Sequence, residues 1–413
     1  MLQDEATQLA CNSFFSRLGA RIAALYERAG FEKGSFPRIA TEALEEMPPS
    51  ASLSLWDVSK IALVVGLLPL ETNGFAARGF PYVTVFEHQN FRIDLLFWSR
   101  GSDEIHQHEF AGAFHVLCGS SVQVTWQFST EADVDEDVAV GRLEPTASEI
   151  LRSGDTRLIA PGSRFIHSSN YFGRPSVSVV VRTYDSAPST RTVYIRPGIR
   201  CPDRTFEPTN RARRLLTTLA RSGCHSEVSE LYAYMIETAD ATIGAVATLE
   251  AMAILPDRRA QDRLISIVRR RYPPLGEALA SASEIKARSA RISAIAASVS
   301  DAELLFFLTL LQSLPCGREV LRHVAERFPG HDPARRIALW ISDLGSLRIL
   351  EMLTPAGLLD AVRLLIPERV PCEKGLDLRP DSECAEDEAV RTTMDELKGH
   401  WLLWPLFSGG PKE

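Results

Sequence analysis

No two cysteines in this chain are spaced C-x-x-C. The seven present, Cys11, Cys118, Cys201, Cys224, Cys316, Cys372 and Cys384, are odd in number and scattered over 413 residues. That excludes a zinc ribbon of paired cysteines and fits reduced thiols in a cytoplasm better than a disulfide framework. Long apolar runs are also missing: the longest, IALVVGLLPL at 61–70, is about half of the ~20 residues a helix needs to span a bilayer. The opening MLQDEATQLACNSFF puts acidic residues before any apolar run, so no export signal is expected. Positive charge is not in excess, since 45 Lys and Arg face 53 Asp and Glu for a net −8. The expectation is a cytoplasmic protein with no nucleic-acid partner and no membrane. There is no Walker loop, no GxGxxG after a strand and no GxSxG elbow, which argues against nucleotide hydrolysis, dinucleotide redox chemistry and serine esterase chemistry.

What is present falls into stretches of different periodicity. Leu9, Phe14, Leu18, Ile22 and Leu25 recur at helical spacing within about 5–45, predicting one long opening helix that breaks at GSFPR, with a second helical piece at 55–68 after Pro48–Pro49. From about Pro81 to Tyr194 short β-rich runs (YVTVF, FRIDLLFW, SVQVTWQF, SVSVVVRTY, TVYIR) alternate with Gly, Asp, Ser and Pro clusters, the pattern of a sandwich or small barrel over 81–200. Beyond the proline-marked RPGIRCPDRTFEPTN at 196–210, helices are expected near 209–221, 226–237, 241–255, 258–271, 282–298, 301–313, 317–328, 333–344 and 355–366, with no recurring repeat. PCEKGLDLRPDSECAEDEA at 371–389 reads as a surface loop, and the terminal HWLLWPLF as the cap of a core or an interface. RRAQDRLISIVRRRY at 258–272 is strongly basic, either a solvated helix face or a surface for an anionic partner.

Of nine histidines, three lie in IHQHEFAGAFHVLCGS at 105–120. On a strand, residues i and i+2 share a face, so His106 and His108 would present their imidazoles together. Such a pair is either a polar strand edge or two ligands of a metal that needs a third. The candidate third is His167, in GDTRLIAPGSRFIHSSN, just after a chain-reversing Pro161–Gly162 turn. His115 reads as a packed or solvent-facing strand residue or a donor behind the ligands, and His88 as a residue that could face the barrel interior. Tyr171, Tyr184, Arg164 and Arg182 lie near the second stretch and could orient a substrate; solvated strand ends are the alternative. His225, His323, His331 and His400 are isolated, with no His-x-x-x-His or Glu-x-x-His spacing for a second metal site.

Gly101, His106, His108 and Gly119, then Gly154, Pro161, Gly162, His167 and Asn170, resemble the two loose motifs of the cupin family over roughly 95–185. Many cupins add a glutamate after the His pair; that position falls in FAGAF, and strand alternation turns the adjacent Glu109 away. The remaining three-histidine set is similar to the cysteine dioxygenase family. DLLFWSRGSDEIHQH and HSSNYFGRPSVSVVVRTY agree with it, and Ser178 matches that family's serine. The family's crosslinking cysteine falls at Ala113, the histidine of its outer relay at Val180, its tyrosine at Arg182 and its carboxylate-clamping arginine near Thr84. The resemblance therefore implies the fold and an iron site, but not recognition of cysteine.

Three neutral imidazoles on one face leave other coordination positions of a divalent ion open and its charge uncompensated, which favours an anionic, chelating substrate. The expected architecture is an α+β multidomain chain: N-terminal helices at 1–75, a cupin β-barrel (double-stranded β-helix) at 76–204 and an all-α domain at 205–413. The expected activity is that of an Fe(2+)-dependent oxygenase. His106, His108 and His167 would be ligands, Tyr184, Arg164 and Arg182 candidate catalytic residues, dioxygen and a small molecule other than free cysteine the substrates, and a homo-oligomer through the helical domain the assembly. A non-catalytic metal- or ligand-binding regulator and a metal-dependent isomerase or lyase are the alternatives.

Overall fold

The computed structural model describes residues 5–64, 82–98, 104–184, 191–203, 209–346, 358–365, 388–403 and 406. Gly101, the end of the helical piece expected at 55–68 and nearly all of the loop expected at 371–389 lie outside the described residues. The chain divides into two compact units, one of Met1–Ser121, Thr125–Ala147 and Leu151–Ala287, the other of Val122–Val124, Ser148–Ile150 and Arg288–Glu413.

In the first unit the opening segment is two helices, α1 (Glu5–Arg28) and α2 (Phe36–Glu46), rather than one. Gly30 and Phe31 both take left-handed backbone (φ 67° and 58°), and the Phe31 amide donates to the Tyr26 carbonyl, which closes α1 before GSFPR is reached. Pro37 lies in the first turn of α2, where a missing N–H leaves nothing unpaired. Two short helices, α3 (Pro49–Ser52) and α4 (Leu55–Val64), follow.

The β-rich stretch forms β1 (Tyr82–His88), β2 (Phe91–Trp98), β3 (Ile105–His106), β4 (Gly112–Cys118), β5 (Ser120–Asp133), β6 (Ala139–Arg152), β7 (Thr156–Ile159), β8 (Ile166–Tyr171), β9 (Ser176–Thr183), β10 (Thr192–Ile195) and β11 (Ile199–Pro202). These make a five-stranded sheet, β1-β2-β9-β4-β7, and a closed barrel, β10-β11-β6-β5-β8-β3. Period-two alternation sorts the central strands of the sheet. Phe91, Ile93, Leu95, Val177, Val179 and Val181 pack against Phe15, Leu18, Ile22, Phe36 and Leu44 of α1 and α2. The intervening residues face the other way, where Leu96 and Val180 join Phe110, Phe114, Val116, Leu151 and Ile159 in a smaller apolar cluster.

The first unit continues through α5 (Thr209–Arg221), α6 (His225–Thr238), α7 (Ala241–Ile254), α8 (Arg258–Arg271) and the start of α9 (Pro273–Ser298). Helix α9 begins well before 282 because Pro273 and Pro274 occupy its first turn, where proline is tolerated. Val138, Ile199 and Cys201 of the β region share one core with Leu216, Tyr232, Leu264, Ile267 and Leu279 of these helices. The basic helix α8 is a paired surface: Arg263 bridges to Glu230, Arg269 pairs with Glu277 at 2.7 Å, and Arg271 donates to the Ala239 carbonyl at 2.8 Å.

The second unit holds the rest of α9 with α10 (Ala302–Ser313), α11 (Gly317–Arg327), α12 (Pro333–Ser346), α13 (Leu358–Leu365) and α14 (Glu388–Gly399). Helix α10 starts at Asp301, whose carboxylate accepts from the Glu303 and Leu304 amides, and is buried along its length from Leu304 to Ser313. Trp401 near the end of the chain lies under the Arg291 guanidinium, Arg288 donates to its carbonyl at 2.9 Å, and Leu402 and Leu403 are buried beside it. Among the described residues, no helix is long and apolar enough to cross a membrane.

Candidate metal centre

His106 lies on β3, a strand of two residues. Antiparallel pairing sets it opposite Val193 of β10 on one side and opposite His167 of β8 on the other. Directly opposed residues of an antiparallel pair project from the same face, so register alone brings His106 and His167 together. His108 lies past the end of β3, where the Gly162 amide donates to its carbonyl at 2.7 Å. Gly162 has φ +71°, a conformation glycine adopts without strain. The Pro-Gly turn thereby ties the two histidine-bearing stretches together at the backbone.

The imidazole centroids are 4.6 Å apart for His106–His108, 4.6 Å for His106–His167 and 5.1 Å for His108–His167. One nitrogen from each ring lies within 4.8 Å of the other two, and the Nε2 atoms of His108 and His167 are 3.0 Å apart. Nitrogens that share a divalent ion at about 2.1 Å are separated by about 3–3.5 Å, so the trio fits such an ion.

His106 Nδ1 meets the Glu104 carbonyl at 3.2 Å. A carbonyl only accepts, so Nδ1 carries the proton and Nε2 is left as the ligand atom. Burial, with the neighbouring His106, holds the pKa of His167 well below the usual histidine value. For His108 burial comes first again, followed by the charges of His106, His167 and Arg182. Both rings are therefore neutral at physiological pH, the state that binds metal. Two neutral rings with Nε2 atoms 3.0 Å apart need a proton or a cation between them, since facing lone pairs repel. Phe110, 4.5 Å from His108, and Phe165, 4.5 Å from His167, keep the surroundings apolar.

The other singled-out residues are distributed unevenly. Arg182 Nε donates to Asp94 at 2.6 Å, and its guanidinium is 5.2 Å from the Phe110 ring. Asp94 is fully buried and also takes Arg92 at 3.2 Å and the Thr84 hydroxyl at 2.7 Å. Sequence reasoning missed Asp94, although an acid at an alternating position inside the apolar run FRIDLLFW was a visible signal. Tyr184 is 38% exposed with Arg92 over its ring, and burial raises the pKa of its phenol. Arg164 is exposed and its Nε points back to the Pro161 carbonyl at 3.5 Å. Tyr171 stacks on Trp98 at 4.6 Å, and Trp98 Nε1 donates to Ser178 Oγ. Glu109 is exposed and accepts from Gln107 Nε2 at 2.9 Å.

Six histidines lie elsewhere, among them His88, His115 and His323. His88 closes the β1–β2 hairpin, accepting from the Asn90 amide at 3.3 Å and packing on Phe91 at 4.9 Å. His115 is fully buried between Thr156 and Ser50. His323 is not isolated: within the second unit its Nε2 meets Ser148 Oγ at 2.8 Å and its Nδ1 meets Glu326 at 3.0 Å.

No protein family and no curated protein matches the chain. Among solved structures it is similar to KdgF from Halomonas sp., at 16% identity over 25% of this chain and 77% of that one with a TM-score of 0.18. It is also similar to the DMSP lyase DddQ from Ruegeria pomeroyi DSS-3, at 17% identity over 43% of this chain and 94% of that one with a TM-score of 0.24. A third is hydroquinone 1,2-dioxygenase from Sphingomonas sp. TTNP3 with 4-hydroxybenzoate bound, at 14% identity over 28% of this chain and 72% of that one with a TM-score of 0.21. These neighbours are cupin-fold proteins.

Proposed function

We propose that His106, His108 and His167 hold a divalent metal, iron(II), and that the chain is an oxygenase of the thiol-dioxygenase kind. Its substrates are dioxygen and a small anionic molecule other than free cysteine, bound in a β region of the double-stranded β-helix type. The observation that carries this reading is the convergence of three histidine nitrogens within 4.8 Å, two of them on neutral rings and 3.0 Å apart. Iron, when bound, would supply open coordination positions where a chelating anion and dioxygen meet. Around that position Glu104 orients His106, while Phe110 and Phe165 limit water. Among the described residues Cys118, Cys224 and Cys316 are free thiols, which supports a reducing, cytoplasmic setting.

The test is metal analysis of gently purified protein, then oxygen uptake by the iron-loaded form with mercaptopropionate and with L-cysteine. Stoichiometric iron and uptake with mercaptopropionate are expected. Iron without uptake for either thiol would remove the oxygenase reading in favour of an isomerase, a lyase or a binding protein. Fast, saturable conversion of cysteine to its sulfinate would overturn the substrate assignment.

A further inference from the structure

A second cluster of chemically active side chains lies within the second unit, where β6 meets α11. Glu319, Arg322, His323 and Glu326 fall at the three- and four-residue spacings that share one helix face. Ser148 meets that face just after the exposed run 144–147 of β6. Ser148 Oγ is 2.8 Å from His323 Nε2, and His323 Nδ1 is 3.0 Å from Glu326 Oε2. A carboxylate only accepts, so Nδ1 carries the proton. Arg322 Nη2, 2.9 Å from Nε2, only donates, so Nε2 is an acceptor. Both contacts select the tautomer in which the ring can take a proton from the serine. The ring is fully buried and Ser148 is half-buried, so of the two the serine is the one solvent reaches. Ser148 Oγ has two further partners: Arg322 Nη2 donates to it at 2.8 Å, and Glu319 Oε2 lies at 2.7 Å as a rival acceptor. Burial disfavours the Glu319 charge, but hydrogen bonds from Arg322 and Ser148 outweigh it and hold its pKa below the usual carboxylate value. Burial and then the Arg322 charge lower the pKa of His323, so its ring is neutral at physiological pH. Of the two acceptors the imidazole is the stronger base.

We propose that Ser148, His323 and Glu326 form a second active site, a serine hydrolase centre for small carboxylic esters that works without the metal. Such a set is defined by the roles of its members rather than by a GxSxG elbow, and it recurs on unrelated folds. Ser148 Oγ attacks the ester carbon, and a C–O bond forms as the hydroxyl proton passes to His323 Nε2. The bond to the leaving alcohol then breaks, and the alcohol oxygen takes that proton. Water repeats the exchange: its oxygen bonds to the acyl carbon, its proton passes by way of Nε2 to Ser148 Oγ, and a carboxylic acid leaves. Glu326 is the positioning residue, holding Nδ1–H and stabilising the imidazolium that forms. Arg322, a donor beside Oγ, stabilises the negative charge that develops on the ester oxygen. This inference is independent of the metal-site reading.

The test uses full-length protein, as purified and again after chelation, with p-nitrophenyl acetate as the ester and a fluorophosphonate as the serine label. Both preparations should release p-nitrophenolate at the same rate, above that of buffer alone, and mass spectrometry should find the phosphonyl adduct on Ser148. Ser148→Ala should remove the adduct and return release to the buffer rate. Because His323 is fully buried and its replacement endangers the fold, Glu326, 46% exposed, carries the second arm. Glu326→Gln should lower kcat about a hundredfold or more with KM little changed, and Glu326→Asp should recover part of the loss. A network that merely fastens α11 to β6 gives no adduct at Ser148 and no split between kcat and KM. No release above buffer by folded wild type, an adduct only on another residue, undiminished release by Ser148→Ala, or full kcat in Glu326→Gln overturns the proposal. Loss of release on chelation does so too, because it moves the hydrolysis to the histidine centre.

Discussion

His115 offers a test of how the N-terminal helices are held on the sheet. Its ring is fully buried, with Nδ1 2.8 Å from Thr156 Oγ1 and Nε2 2.9 Å from Ser50 Oγ and 3.4 Å from the Ser50 amide. An amide can only donate, so Nε2 is the acceptor and Nδ1–H the donor, and a proton on Nε2 would face another N–H. Burial lowers its pKa to about 4, against an unfolded value of about 6.5. The unfolded chain therefore binds more protons between those values. The stabilisation from the neutral ring is complete above pH 6.5 and is lost as pH falls towards 4, about 2.5 kcal/mol between pH 7.5 and 4.5. At pH 7.5 His115→Ala should cost about 2–4 kcal/mol, from the cavity and the two hydroxyls left without their partner. The assay is urea unfolding of chelator-treated wild type and variant at both pH values. The gap between them should shrink by most of its size at pH 4.5, because the alanine variant has no ring to protonate. A gap that stays constant or widens would refute the neutral-ring argument. Metal content of the variant should equal that of wild type.

Other perturbations separate further parts of the structure. His106→Ala, His108→Ala and His167→Ala should each strip most bound iron, read by elemental analysis, with an unchanged circular-dichroism spectrum. Gly119→Ala should destabilise by about 2 kcal/mol or more in thermal unfolding, because φ is +88° and an added Cβ would lie 2.1 Å from Ser176 Oγ and 2.7 Å from its Cα. Gly162→Ala, with φ +71° but open space around the Cβ, should cost only about 1 kcal/mol. We propose 204 as the end of the β domain, yet a fragment of residues 1–205 would uncover Val138, Ile199 and Cys201. Expressed alone it should aggregate, as size-exclusion chromatography would show, whereas cleavage in full-length protein should leave the fragments associated.

The candidate ligands were legible because their chemistry rests on local rules: strand alternation for His106 and His108, and a Pro-Gly turn before His167. The partition of FRIDLLFW and SVSVVVRT into a face towards α1 and α2 and a face towards Asp94, Ser178 and Arg182 follows the same period of two. What was not legible depends on pairing between distant strands. That Thr84, Asp94, Arg92 and Arg182 meet needs the β1-β2-β9 order, which no spacing within one strand encodes. The break between α1 and α2 was misplaced because Phe31, an unusual residue for left-handed backbone, shares the turn with Gly30. The early start of α9 was missed because a proline pair reads as a break until it is seen in a first turn.

The pairing His106↔His167 is a single rung between a two-residue strand and β8. Parity therefore governs which length changes the centre can survive during divergence. A one-residue insertion between His106 and the Gly162 contact at His108 would turn the His108 imidazole away from His106 and His167, breaking the ligand set while leaving the strands paired. A two-residue insertion would restore the facing and lengthen only the approach. Descendants of this scaffold that bind a metal here should differ from it by even steps between residues 106 and 108, and those that differ there by odd steps should have lost the metal and kept the fold.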